Sequence, residues 1–181
     1  MFRQTRIARL TAASNFAAAA PARAEQAHTG AALDHPVSRL AEFGATLLRV
    51  ALGVMFLAHS IILKWLTFTL PGTAVFFEGV GLVGWAAYAT FAAEAVGGAM
   101  LVLGIQARWT ALALSPILIG AIVTVHGAKG WVFTAAGGGW EYPAYLFVLC
   151  LAQAMLGDGK LALSPSLQFG PRSNHSKADI R

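Results

Sequence analysis

The sequence predicts an all-α membrane protein, an antiparallel four-helix transmembrane bundle with a short interfacial helix in its first outer loop. Three observations carry that expectation. Four apolar runs of near-spanning length occupy residues 47–66, 85–104, 109–126 and 141–157. Apolar residues make up 57% of the 181 and charged residues only 12%, about half the charged share of an ordinary soluble domain. The charges gather in the two tails and thin out between Leu47 and Gly157, as they do when lipid is the solvent for the middle of a chain.

Each element follows in order. At about 1.5 Å per residue, a run of about 20 residues covers the hydrocarbon of a bilayer. The first run, 47–66, meets that length, and Arg49 and Lys64 near its ends are placed to snorkel toward headgroups. Pro71-Gly72-Thr73 then stops it, and Thr73 is positioned to cap a short segment, 74–82, too short to span. The second run, 85–104, holds one charge, Glu94, near its middle. A tight turn at Gln106-Ala107-Arg108 leads to the third, whose Ser115-Pro116 predicts a kink, because proline removes the backbone bond to Leu112. The glycine-rich loop 129–140 has neither the lysine nor the hydroxyl of a phosphate loop and reads as a flexible connector. Trp140 at the interface extends the short fourth run outward.

Residues 1–40 and 166–181 are expected to be disordered cytoplasmic tails around a membrane domain at 41–165. Ala22-Arg23-Ala24 faintly resembles a signal-peptidase site, but Ser14 and Asn15 interrupt the apolar stretch such a signal needs, so cleavage is not expected. Basic residues set the orientation. Near the helix ends Arg39, Arg49, Arg108, Lys160 and Arg172 fall on one side and Lys64 and Lys129 on the other, which puts both termini in the cytoplasm of a cell inner membrane. The net charge of +5 comes from residues flanking apolar runs, not from a basic patch with interleaved aromatics, so nucleic acid is not an expected partner. The lone Cys150 excludes an internal disulfide and dithiol chemistry.

The polar residues within the apolar runs point to function, since a charge at mid-bilayer costs about 2.5–3.5 kcal/mol on insertion scales. Glu94 shares a helical face with Ala87, Thr90, Gly97, Gly98 and Leu101, and the small residues on that face let another helix approach, so it should point into the bundle. His59, Lys64, His126 and Glu141 should gather toward the outer leaflet above it. Di-iron bundles use Glu-x-x-His, absent after Glu94 and Glu141, and no metal site is expected. His59 and His126 differ in depth, so a haem between them is not expected either. An amphipathic pocket remains, walled by Phe56, Phe76, Phe77, Phe91 and Trp131. It suits a quinone headgroup, which is apolar with two carbonyls needing hydrogen bonds and protons. Glu94, His59 and His126 are the candidate catalytic groups; Lys64, Glu141 and Tyr142 are the candidate quinone-binding groups.

Across about 45–165 the chain resembles the DoxX family. Arg49-x3-Gly53 followed by Phe56-Leu57-Ala58-His59 and Lys64 is similar to that family's first helix, with Ser60 where the family usually has glycine. Gly72-Thr73 with Phe76-Phe77 and Gly81-Leu82 resembles its first outer loop, and Glu94 with Gly97-Gly98, Leu103-Gly104 and Arg108 its second helix and turn. Val125-His126-Gly127, Glu141-Tyr142-Pro143 and Gly157-Asp158-Gly159-Lys160-Leu161 with Ser164 complete the pattern. The resemblance implies a four-helix membrane protein, often a subunit of a quinone-linked oxidoreductase working with other membrane or soluble redox subunits. Homo-oligomers are compatible with it. The alternatives are a non-catalytic scaffold, favoured by the absence of a cofactor motif, and a small transporter subunit, since intramembrane titratable groups also mark ion paths.

Overall fold

The computed structural model describes residues 36–167. The expected tails at 1–35 and 168–181 lie outside the described residues. Helix α1 (Pro36–Leu57) runs directly into a π-helical segment, Ala58–Thr67. It begins earlier than expected, taking in Pro36–Leu40. Then come α2 (Leu70–Gly79), α3 (Trp85–Leu103) and α4 (Ala107–Ala121). The last continues as a π turn, Ile122–His126, and a 3-10 turn, Gly127–Lys129. Helix α5 is Glu141–Leu156. No strand occurs among the described residues.

Three helical stretches are long and apolar enough to cross a membrane: Arg39–Thr67, Trp85–Leu103 and Ala107–Lys129. The fourth, α5, is apolar but has 16 residues, short of the usual ~20. The three long stretches bury only 22–28% of their most apolar windows. Val54, Val96 and Val123 are among the large apolar side chains left outside. In water such surface would drive aggregation; lipid is its natural solvent.

Helix α3 packs closely against α1 and α4, and its glycines explain how. A Cβ on Gly98 would meet Gly53 O at 2.9 Å and Leu57 N at 3.0 Å, while one on Gly97 would meet Leu114 at 2.8 Å. Gly98 therefore lets α1 approach, and Gly97 admits a leucine from α4. The buried face of α3 is Ala87, Glu94, Gly97, Gly98 and Leu101, the face expected from helical spacing. Leu52, Phe56, Leu101, Leu114, Leu146 and Cys150 fill the core between the helices.

Local chemistry accounts for the interruptions. Pro116 lies inside α4, and Ser115 Oγ donates to the Leu112 carbonyl at 2.8 Å, supplying the donor that proline lacks. Ser60 is fully buried and donates to Leu57 O at 3.1 Å, so the hydroxyl is satisfied within its own helix. The start of α2 differs from expectation. Thr69, not Thr73, is the cap, its Oγ1 accepting from Gly72 N at 3.2 Å. Pro71 opens this helix rather than ending the previous one, because a first-turn residue needs no N–H. Thr73 sits inside α2, its hydroxyl within reach of Thr69 O at 2.9 Å and Lys64 O at 3.3 Å.

After α5 the chain folds back on the α3–α4 turn. Gln106 N donates to Ser164 O at 2.8 Å and Ser164 N to Gly104 O at 3.1 Å. Asp158 Oδ1 accepts from Ala107 N at 2.7 Å, capping α4 from a distant part of the chain. Its two oxygens also take Ser166 Oγ at 2.9 Å and Ser166 N at 2.8 Å. Arg49 is drawn into the same region. It does not snorkel as expected: it is 1% exposed and makes long contacts of 3.4 Å to Lys160 O and Leu161 O. Asp158→Ala removes a cap and is expected to cost about 1–2 kcal/mol. A detergent unfolding titration will read this as an earlier midpoint, and an unshifted midpoint would show that the segment is not fastened there.

Candidate functional site

The two π segments decide what faces inward. His59 and Lys64 are five residues apart, which in an α-helix leaves them about 140° apart around the axis. In a π-helix the backbone bonds join residues five apart and stack them. Both side chains line one cavity as a result. His126, closing the second π segment, lines it from α4.

At the centre, Lys64 Nζ donates to Glu94 Oε2 at 2.6 Å. The side chains are 15% and 6% exposed, so this is a desolvated ion pair, stable only because each charge has the other. It ties the π segment of α1 to α3. Around it lies a cavity of about 720 Å³. His59 Nδ1 donates to Met55 O at 3.1 Å, the bond a carbonyl partner dictates, which makes Nε2 of the neutral ring an acceptor. His126 Nδ1 likewise donates to Gly138 O at 2.8 Å, fixing the loop 129–140 to the end of α4. Tyr142, from the first turn of α5, stacks on His59 with ring centres 6.3 Å apart and planes at 22°. Its hydroxyl donates to Met55 Sδ at 2.6 Å.

The cavity thus brings together Glu94, His59, His126, Lys64 and Tyr142. Glu141 stands apart. Its Oε2 accepts from Phe133 N at 3.1 Å, and it borders a shallow outer groove with Phe133, Tyr142 and Tyr145. Of the expected aromatic walls, Phe56, Phe76 and Phe77 line the cavity. Phe91 instead packs edge-on against Trp65 and Trp131 against Trp140. Sequence reasoning missed Met55 and Phe133. Met55 was within reach, since it lies one turn before His59 on the same α-helical face; Phe133 sits in an irregular loop that no periodicity describes.

Apolar helices of membrane-spanning length around a buried carboxylate–ammonium pair and an amphipathic cavity define a helical membrane protein with an internal polar site. The DoxX family model matches residues 44–127. A protein of Bacillus subtilis (strain 168) named "Putative oxidoreductase CatD" is 31% identical over 137 residues, covering 76% of this chain and 96% of that protein. No solved structure matches the chain. The chain belongs to the DoxX family.

Proposed function

We propose that the chain is a quinone-binding subunit of a membrane oxidoreductase, crossing the cell inner membrane four times with α2 at the outer interface and both termini in the cytoplasm. The observation that carries this reading is the Lys64–Glu94 pair set in the wall of a largely aromatic and aliphatic cavity. The volume, about 720 Å³, falls within the usual ~300–1,000 Å³ range of small-molecule sites and leaves room for a substituted ring. The name carried by the Bacillus relative supports the oxidoreductase class. The basic residues flanking the helices support the orientation.

A bound quinone would supply two-electron, two-proton redox chemistry. The chain's own residues bind and move protons. Lys64 offers a charged donor to a carbonyl oxygen, and the Glu94 carboxylate, 2.6 Å away, holds the amine in its protonated, donating form. His59 Nε2 can accept a hydrogen bond from the hydroxyl of the reduced ring, and the Tyr142 ring, stacked on His59, closes the side of the site. With one cysteine in the chain, electrons are assigned to a membrane or soluble redox partner.

The test is direct. Full-length protein in nanodiscs should bind a benzoquinone, and Glu94→Gln should weaken that binding about tenfold, the scale of one charge-assisted hydrogen bond. Equal affinity in the two proteins would sink the proposal.

A further inference from the structure

Tyr142 and Phe133 each line two spaces. They border the inner cavity, and they also border the outer groove of about 210 Å³ that continues to Tyr145 and Glu141. A side chain that faces two adjoining spaces is a partition between them. Its Tyr142 side rests on a soft contact. The Tyr142 hydroxyl rests on the Met55 thioether, a weak acceptor on a flexible side chain. Phe133 is 63% exposed and belongs to a loop with positive φ at Gly130, Gly137 and Gly138. Tyr145, one turn along α5, is 62% exposed and forms the far side of the groove. The groove's aromatic edges and the Glu141 carboxylate at its rim match a membrane–water boundary, where tyrosine is enriched.

From this geometry we infer that the Phe133–Tyr142 partition is the entrance to the inner site, and that it selects a membrane-dissolved ligand whose apolar tail stays in the outer groove while its ring occupies the cavity. The inference rests on the quinone reading and adds the substrate class: tailed quinones delivered from lipid, not small quinones delivered from water. Tyr145 is then a specificity-determining residue, although it does not border the cavity.

Comparing two probes tests it: a decyl-tailed benzoquinone and its tail-less methyl counterpart, bound to the full chain in nanodiscs. Tyr145→Trp narrows the groove without touching the cavity. It should raise the Kd of the tailed probe about tenfold, the scale of losing a few buried methylene contacts, and leave the tail-less probe unchanged. Val148→Trp, at a position on α5 that is 57% exposed and borders neither space, should change neither Kd. If Tyr145→Trp affects both probes equally or neither, or if Val148→Trp mimics it, the entrance is overturned while the headgroup site stands. If the unaltered protein binds neither probe, the quinone reading fails and takes the entrance with it.

Discussion

Exchanging Lys64 for methionine is expected to lower stability by about 3–5 kcal/mol, the cost of leaving one member of a buried ion pair without its partner. Glu94 is 4% exposed, on the inward face of its helix, so a stranded carboxylate there is poorly solvated. The methionine itself is about as long as the lysine stem and fits an apolar wall. The loss therefore falls on Glu94, not on packing. A double variant, Lys64→Met with Glu94→Leu, should recover most of the stability, because a buried pair replaced by apolar groups of similar size is often neutral. Unfolding titrations in mixed micelles compare the three proteins. A double variant no better than the single one would show that the two charges are not coupled. Both variants should lose quinone binding, which separates the stabilising role of the pair from its proposed chemical one.

Gly98→Leu is the second large effect, at about 3 kcal/mol, the upper end of overpacking costs. Even the first added carbon would lie 2.9 Å from Gly53 O and 3.0 Å from Leu57 N. Both neighbours are backbone, so neither can rotate away, and α1 must move off α3. The Lys64–Glu94 pair joins the same two helices and should loosen with them. Gly44→Ala is the control. Gly44 is exposed inside α1 with nothing within 4 Å of an added Cβ. There alanine should stabilise by about 0.5–1 kcal/mol through backbone entropy alone. Equal responses at the two glycines would show that the crossing is not tight.

How far the sequence could be read depends on the periodicity each residue obeys. The inward face of α3 was legible because Glu94, Gly97, Gly98 and Leu101 follow the α-helical repeat, with glycines where a partner helix must come close. The spans near 85–104 and 109–126 were legible from apolar length. The pairing of Lys64 with Glu94 was not, because a lysine near the end of an apolar run reads as snorkelling. Only π winding, which has no composition signal, turns it onto the face of His59. Arg49 misled for the same reason at the other end. It is buried against a segment more than a hundred residues away in sequence, a contact that no local pattern announces. Glu141 was grouped with the histidines by depth, yet its carboxylate is spent on the Phe133 amide.

The reach of Asp158 back to Ala107 has a bearing on biogenesis. The first turn of α4 is closed by a carboxylate that leaves the ribosome 51 residues after it, once every apolar helix among the described residues has already been made. A polypeptide halted at Leu156 would carry all the hydrophobic information needed to enter a membrane and still lack the clasp that finishes its third long helix. Synthesis of the apolar helices and closure of this turn are therefore separable steps, the second waiting on a residue made after α5.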